Sequence, residues 1–133
     1  MLTVVAAIIE AEGKLLVCQR RRDDTFALLW EFPGGKIKAG ESLERALARE
    51  LHEELGVCAA IGAELFRTRH QYAQLSEPIE LIFFAATVRA ADVRNLVFEE
   101  IAWRTPASLP ELNFLPADAE LIEKLSSGTL RWR

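Results

Sequence analysis

Three glutamates of this chain have the spacing of side chains that act together. Glu50, Glu53 and Glu54 are related by offsets of three and four residues, which place side chains on one face of an α-helix. Carboxylates grouped in this way can bind a divalent cation such as Mg²⁺, which prefers oxygen ligands. The spacing alone, however, is more typical of a solvated acidic face paired with basic residues of the same helix.

A sequence selected only for helix stability would avoid this arrangement. Acids four residues apart repel each other, at a cost of about a few tenths of a kcal/mol in an isolated helix. These acids also fall in the last turns, where the helix dipole disfavours negative charge. A bound divalent cation would reverse both effects. The acids therefore predict either a metal site or an exposed charged face, and the flanking sequence decides between them.

The helix that carries these acids has clear ends in the sequence. Ser42 can cap the N-terminus through its hydroxyl, and Gly56 fits the left-handed residue that follows a helix. The apolar residues between them recur at helical spacing: Leu43, Ala46, Leu47, Leu51 and Leu55. This apolar stripe can pack on a sheet while the acids face a cleft.

The rest of the sequence predicts strands on both sides of this helix and a second helix near the end. Strands are expected at 2–10, 14–20, 29–32, 63–72, 79–88 and 101–104. The second helix is expected at 117–125, and loops or turns at 21–25, 33–40 and 74–78. This order indicates an α+β fold with a mixed sheet between helices.

Length and composition limit the class of protein. The chain has 133 residues, of which 50% are hydrophobic and 27% charged, which predicts one globular domain over 1–133. No apolar run approaches the roughly 18 residues of a membrane span, and the first residues lack the basic start of a signal peptide. The net charge of −4 argues against a non-specific nucleic-acid-binding protein.

The two cysteines match no metal-binding spacing. Cys18 and Cys58 are expected to be buried, reduced thiols of a cytoplasmic protein. A disulfide or a reactive thiol is the alternative.

The sequence around the acidic helix matches a known motif. Five residues separate Gly35 from Glu41, and seven more lead to the run from Arg49 to Val57. The pattern resembles the Nudix box, G-x5-E-x7-R-E-U-x-E-E-x-G-U with U aliphatic, at every defined position. The chain is thus identified as a member of the MutT-like branch of the Nudix hydrolases. The resemblance implies an α/β/α sandwich around a mixed sheet, and cleavage of a nucleoside diphosphate linkage with Mg²⁺ or Mn²⁺.

The resemblance implies a catalytic metal site on the helix. The implied metal ligands are the backbone carbonyl of Gly34 and the carboxylates of Glu50, Glu53 and Glu54. Glu50 is also the implied base for the attacking water, and Arg49 would orient the acids. In the MutT-like branch the water attacks the β-phosphorus of a nucleoside triphosphate and releases a monophosphate and pyrophosphate, chemistry that a cation assists by neutralising phosphate oxygens.

Other positions of the motif have implied supporting roles. Glu41 would pair with Arg49, and Gly35 and Gly56 would be structural. Lys36 would meet the phosphates of the substrate.

One acid of the MutT-like pattern is missing here. Relatives often carry a further metal-binding glutamate six residues before a tryptophan, and in this chain Trp103 is preceded at that distance by Val97. Either Glu100 or Glu99 replaces that acid through a local irregularity, or the helix acids act alone. As an alternative, both acids are exposed loop residues.

The resemblance also implies a substrate pocket. Arg20 aligns with an arginine that contacts substrate, Phe32 with an aromatic of the base pocket, and Asp118 with the residue that reads the base. The alternatives are a solvated strand-end charge, a core phenylalanine and a helix N-cap. An ionised aspartate only accepts hydrogen bonds, so Asp118 favours a base edge with N–H donors, as in cytosine or guanine. His70 and Tyr72 lie on a strand that borders the substrate in relatives, where a lone histidine is commonly a surface residue.

The resemblance leaves three functions open. The first is a nucleoside triphosphate pyrophosphohydrolase that removes oxidised or modified nucleotides, such as 8-oxo-dGTP or a cytosine-type nucleotide. The second is hydrolysis of another nucleoside diphosphate derivative: ADP-ribose, a dinucleoside polyphosphate or an RNA 5′ end. The third is a non-catalytic nucleotide-sensing module, against which the complete box argues. The favoured function requires a nucleoside triphosphate substrate, and no nucleic-acid or membrane partner is expected. The protein is expected to be a monomer or a homodimer.

Overall fold

The computed structural model describes residues 1–132 and contains a mixed seven-stranded sheet. The strands are Leu2–Ala11 (β1), Lys14–Gln19 (β2), Trp30–Glu31 (β3), Gly34–Lys36 (β4), Ala60–His70 (β5), Ile79–Thr87 (β6) and Glu100–Arg104 (β7). The main path through the sheet is β3-β2-β1-β6-β5, with β4 paired to β1 and β7 paired to β2. Strands β1 and β6 run parallel, and the other strand pairs are antiparallel.

The central strand β1 is buried on both faces, which explains its nearly continuous apolar sequence. Side chains alternate across a strand. Val5, Ala7 and Ile9 therefore belong to one apolar cluster, whereas Ala6 and Ile8 belong to the other.

The two helices cover opposite faces of the sheet. Helix α1 spans Leu43–Leu55, and its Leu51 lies in the cluster that contains Val5. Helix α2 spans Ala119–Ser126, and its Leu121 lies in the cluster on the other face. The α+β assignment and the α/β/α sandwich around a mixed sheet are confirmed.

Helix α1 begins and ends where the sequence predicts. The Ser42 side chain accepts a hydrogen bond from the backbone N–H of Arg45 at 3.1 Å. Gly56 adopts the left-handed conformation with φ of 68°, and its N–H donates to the carbonyl of His52. These caps fix the length of the helix and thereby the turns that carry the acids.

The expectation of a turn and loop over 33–40 is wrong for three residues. Gly34–Lys36 forms β4, in which Gly34 lies opposite Ala6 of β1. Local sequence did not reveal this strand because its pairing depends on β1, which is distant in the chain. Strand β5 also ends at His70, so Tyr72 lies in the following turn.

Short 3-10 helices complete the described chain at Ala90–Asp92, Pro106–Glu111 and Pro116–Asp118. The last of these leads directly into α2, so the helical segment begins close to the predicted residue 117. No helix within residues 1–132 is long and apolar enough to cross a membrane.

Both cysteines are free thiols. Cys18 is buried in β2, as expected, and burial raises its pKa, with the nearby Glu54 carboxylate adding to the effect. The expectation of a buried thiol is wrong for Cys58, which is exposed just after α1.

Candidate active site

Strand β4 brings two glycines into close contact with β1 and α1. A Cβ atom on Gly34 would collide with the carbonyl oxygen of Val5. A Cβ atom on Gly35 would lie 2.5 Å from Cδ of Glu50. Glycine is therefore required at Gly34 by the backbone of β1, whereas a side chain at Gly35 would displace the Glu50 carboxylate.

The Arg49 guanidinium connects several acids. Nε donates to Glu41 Oε2 at 2.7 Å and Nη2 donates to Glu41 Oε1 at 3.0 Å, so the implied pair of Glu41 and Arg49 is present and bidentate. Nη1 donates to Glu50 Oε1 at 2.9 Å and lies 3.4 Å from both Glu53 oxygens. The hydrogen bond from Arg49, with one from the Lys38 backbone N–H, lowers the pKa of Glu41 to about 2. Arg49 thus fixes Glu50 relative to the loop that precedes α1.

Glu54 has a different environment. Its Oε1 accepts a hydrogen bond from the backbone N–H of Gly34 at 3.1 Å. Burial raises the pKa of Glu54 to about 9, and the charges of Glu50 and Glu31 add to this shift. The ionised form of Glu54 is therefore costly unless a positive charge lies beside it.

The described residues do not form a preassembled metal cage. Among residues 1–132, no three His, Cys, Asp or Glu side chains are grouped as metal ligands. Arg49 donates a hydrogen bond to Glu50 Oε1. Glu54 accepts a hydrogen bond from the N–H of Gly34, whereas the group of Gly34 implied as a metal ligand is its carbonyl. The donor chemistry nevertheless fits a divalent cation, because carboxylate oxygens share one helix face and a cation would stabilise the charge of Glu54. The ligand set of Gly34, Glu50, Glu53 and Glu54 stays a prediction.

The candidates for the missing acid lie at the start of β7, where Glu100 is the first residue of the strand and Glu99 precedes it. Glu99 is bound to Arg22, whose Nη2 lies 3.0 Å from Glu99 Oε2 and whose backbone N–H donates to Glu99 Oε1. Glu100 is exposed and lies opposite Gln19 of β2. Glu99 is thus paired with a basic residue, and the assignment of the missing acid to Glu100 or Glu99 stays a prediction.

A cavity of about 390 Å³ connects the box with distant parts of the chain. Its wall includes all four residues predicted to bind substrate: Arg20, Phe32, Lys36 and Asp118. The same wall includes Gly34 and Glu54 of the implied metal site. The volume is typical of a small-molecule site, so one cavity can hold a ligand against the box and Asp118 at once.

Arg20 is more than a solvated strand-end charge. Its Nη1 donates to both Glu31 oxygens at 3.1 and 3.2 Å, Nε donates to the Thr25 carbonyl at 2.7 Å, and Nη2 lies 3.0 Å from Asp24. Burial raises the pKa of Glu31, whereas Arg20 opposes that shift. Glu31 was missed in the sequence, where the available signal was an acid between two aromatic residues.

Phe32 is a core residue that also reaches the cavity wall. It is 4% exposed and packs edge-on against Phe83, with ring centroids 5.9 Å apart, and against Phe114 at 5.6 Å. It also lines the cavity, so a core phenylalanine forms part of the cavity wall.

Asp118 is 2% exposed and is the one buried charged residue within 1–132. Asp118 occupies the N-cap position of α2, as the alternative expected, but its side chain makes no capping hydrogen bond. Burial, with a contribution from Glu31, raises the pKa of Asp118 well above its ordinary value. A protonated carboxyl donates as well as accepts, so the expectation of a purely accepting Asp118 holds only when it is ionised.

Comparison with known proteins agrees with this geometry. The NUDIX domain family matches residues 1–125. The chain is 39% identical over 128 residues to the CTP pyrophosphohydrolase of Escherichia coli (strain K12), covering 92% of this chain and 90% of the relative. It is 36% identical over 130 residues to an 8-oxo-dGTP diphosphatase of Haemophilus influenzae, covering 97% and 94%.

A solved structure shares the same fold. The MutT NUDIX hydrolase from Burkholderia pseudomallei superposes with a TM-score of 0.80 at 27% identity, covering 92% of this chain and 95% of that chain. The complete box, the sandwich architecture and the matches along most of the sequence lead to one conclusion: the chain belongs to the NUDIX domain family.

Proposed function

We propose that this chain is a nucleoside triphosphate pyrophosphohydrolase that uses Mg²⁺, with Mn²⁺ able to substitute, as a single cytoplasmic domain over 1–133. Nudix hydrolases generally depend on a divalent metal. The observation that carries the proposal is the shared cavity, whose wall contains Glu54 and Gly34 of the box together with Asp118. Two relatives of nearly equal length, named for CTP pyrophosphohydrolase and 8-oxo-dGTP diphosphatase activity, support the reaction type.

The residues of the Nudix box have separate roles in the proposed hydrolysis. Glu50, Glu53, Glu54 and the Gly34 carbonyl would hold the cation, which would supply Lewis acidity to the phosphate oxygens and to the attacking water. Arg49 holds Glu50 Oε1, which leaves Oε2 to take the proton of the attacking water. The water oxygen bonds to the β-phosphorus while the bond from that phosphorus to the α–β bridging oxygen breaks. The monophosphate leaves with the bridging oxygen, pyrophosphate retains the water oxygen, and Glu50 passes its proton to solvent.

Basic residues near the cavity have unequal roles in this proposal. Lys36 is exposed at the cavity wall and offers its ammonium group to the phosphates. Each nitrogen of the Arg20 guanidinium already contacts an acceptor, so Arg20 acts mainly by holding the wall in place through Glu31 and Thr25.

The favoured substrates are oxidised or modified nucleotides, 8-oxo-dGTP or a cytosine-type nucleotide. Phe32 gives the cavity an aromatic wall on which a base can stack. Asp118 supplies a buried carboxyl to the cavity. Binding a base that leaves this carboxyl without a hydrogen-bond partner is costly, so the cavity should discriminate between bases.

The direct experiment compares pyrophosphate and phosphate release from CTP, dGTP and 8-oxo-dGTP with Mg²⁺. We expect pyrophosphate as the product, and we expect Glu53→Gln to lose most metal-dependent turnover while its melting temperature is retained. Glu44→Gln is the matched control, because Glu44 is an exposed acid in the first turn of the same helix.

Three results would contradict the proposal. Full activity of Glu53→Gln would remove the metal site from the mechanism. Faster cleavage of ADP-ribose or a dinucleoside polyphosphate would change the substrate class. Nucleotide-induced stabilisation without any pyrophosphate release would favour a sensing module.

A further inference from the structure

Tyr72 makes a long-range contact to the segment that carries Asp118. It is 6% exposed and lies in the turn after β5. Its hydroxyl oxygen accepts a hydrogen bond from the backbone N–H of Ala117 at 2.9 Å, across 45 positions of the chain. The contact is buried, so water cannot readily replace it if the hydroxyl is removed.

The Ala117 N–H needs this acceptor because it lies at the start of a helical segment. The first N–H groups of a helix have no acceptor within the helix. Pro116 before it has no N–H, and the Asp118 N–H donates to the Leu115 carbonyl at 2.9 Å. The hydrogen bond to Tyr72 therefore connects the Ala117 N–H, the first free donor of this turn, to the segment that follows β5.

The Asp118 carboxyl depends on its backbone for its position. Within residues 1–132 its oxygens take part in no hydrogen bond or ion pair, although the side chain is 2% exposed. With no hydrogen bond of its own, the carboxyl is positioned by its backbone and by the side chains packed around it. The nearest external hydrogen bond on that peptide segment is the one between Ala117 and Tyr72.

The Tyr72 ring is held independently of its hydroxyl. Its centroid lies 4.6 Å from that of Phe26 and 4.3 Å from that of His70. Removing only the hydroxyl should therefore leave the ring in place and release the Ala117 N–H. Tyr72 and Asp118 both line the cavity, so a shift of the turn that carries Asp118 would change the contacts of a bound base.

We infer that Tyr72 is a positioning residue that holds the Asp118 carboxyl in place for recognition of the nucleotide base. The inference rests on the proposed function, because it requires that a base occupy this part of the cavity. It assigns to the hydroxyl a role in base selectivity that is separate from the contribution of the ring to packing.

The test is a double-mutant cycle between Tyr72→Phe and Asp118→Asn. The readout is the ratio of kcat/KM for the best and the poorest nucleoside triphosphate among CTP, dGTP and 8-oxo-dGTP, measured beside the melting temperature. We expect Tyr72→Phe to reduce this ratio about tenfold, the size expected for one misplaced hydrogen bond. In the Asp118→Asn background the same substitution should leave the ratio unchanged, because Tyr72 acts through Asp118. His70→Leu is the control, since it removes a ring contact of Tyr72 and retains the hydroxyl.

Each other outcome overturns the inference in a recognisable way. If Tyr72→Phe lowers kcat/KM by one factor for every nucleotide, the hydroxyl contributes only to packing. If its effect on the ratio multiplies with that of Asp118→Asn, Tyr72 contacts the base itself. If Asp118→Asn leaves the ratio unchanged, there is no selectivity for Tyr72 to support. If the wild type releases no pyrophosphate, the proposed function fails, and the same cycle read as nucleotide dissociation constants by calorimetry still decides the role of Tyr72.

Discussion

The proposed catalytic region and the proposed base region of the cavity are built in different ways. The catalytic region comes almost entirely from one continuous stretch, 34–57, and is rich in charged contacts around Arg49. The base region combines Phe32 next to β3, Tyr72 after β5 and Asp118 before α2, and is mainly aromatic. Under the proposed function, the reaction therefore depends on local spacing within one segment, whereas selectivity for the base depends on how distant segments pack.

The largest effect should come from the catalytic region. Glu50→Gln removes the implied base but keeps an oxygen that can accept from Arg49, so the fold should be retained. We expect turnover to fall by about a hundredfold to ten-thousandfold, by the same factor for every nucleotide. Steady-state kinetics with melting temperatures measure this. A factor that differs between nucleotides would mean that the catalytic region also selects the base.

A substitution outside the acids should have the next largest effect. Gly35→Ala would place a Cβ atom 2.5 Å from Cδ of Glu50, which would displace that carboxylate. A displacement of this kind is expected to lower turnover by about a hundredfold. Gly40→Ala is the control, because Gly40 has a positive φ of 82° but no atom near the position of a Cβ. Equal activity losses in the two variants would show that contact with Glu50 is not the cause.

A substitution in the base region should change the selectivity between nucleotides and leave turnover of the best substrate nearly unchanged. Asp118→Asn removes the ionisable group from the cavity but keeps a donor and an acceptor. We expect the ratio of kcat/KM between nucleotides to change by about tenfold, while the turnover of the best substrate stays near that of the wild type. A uniform loss for all nucleotides would move Asp118 from recognition to catalysis or folding.

The smallest effect should be a dependence of stability on pH. Burial raises the folded-state pKa of Asp118 above its ordinary value of 3.8, with Glu31 adding to the shift. The folded state therefore holds this proton more tightly than the unfolded state does, so the stabilisation is complete below about pH 3.8 and is lost as pH rises toward the folded pKa. The other ionisable groups of this wall are Arg20, Asp24, Glu31, Lys36, Glu54 and Tyr72.

Melting curves of the wild type and Asp118→Asn at a series of pH values isolate this contribution, because the other carboxyls are common to both proteins. The variant should gain stability relative to the wild type as pH rises from acid to neutral. Parallel curves would mean that Asp118 titrates as an exposed aspartate does.

The sequence was most informative where structure follows from local rules. Ser42, Gly56 and the apolar stripe between them predicted α1 within one residue, because caps and helical periodicity are local properties. The resemblance to the Nudix box also implied that Glu41 pairs with Arg49, and the structure contains this pair.

The parts that were missed depend on contacts between distant segments. Gly34–Lys36 has the composition of a turn and becomes a strand only by pairing with β1. The partial burial of Glu31 and the hydrogen bond between Tyr72 and Ala117 both arise from packing across the cavity. The hold of Arg49 on Glu50, which leaves no preassembled ligand cluster within 1–132, depends on side-chain rotamers that spacing does not specify.

The measurement that tests the central claim most directly is hydrolysis of the best nucleoside triphosphate in water labelled with oxygen-18, followed by mass spectrometry of the products. If the box directs water to the β-phosphorus, the label appears in pyrophosphate and the nucleoside monophosphate is unlabelled. Label in the monophosphate would place the attack at the α-phosphorus, and label in inorganic phosphate would place it at the γ-phosphorus. Either result would contradict the proposed reaction.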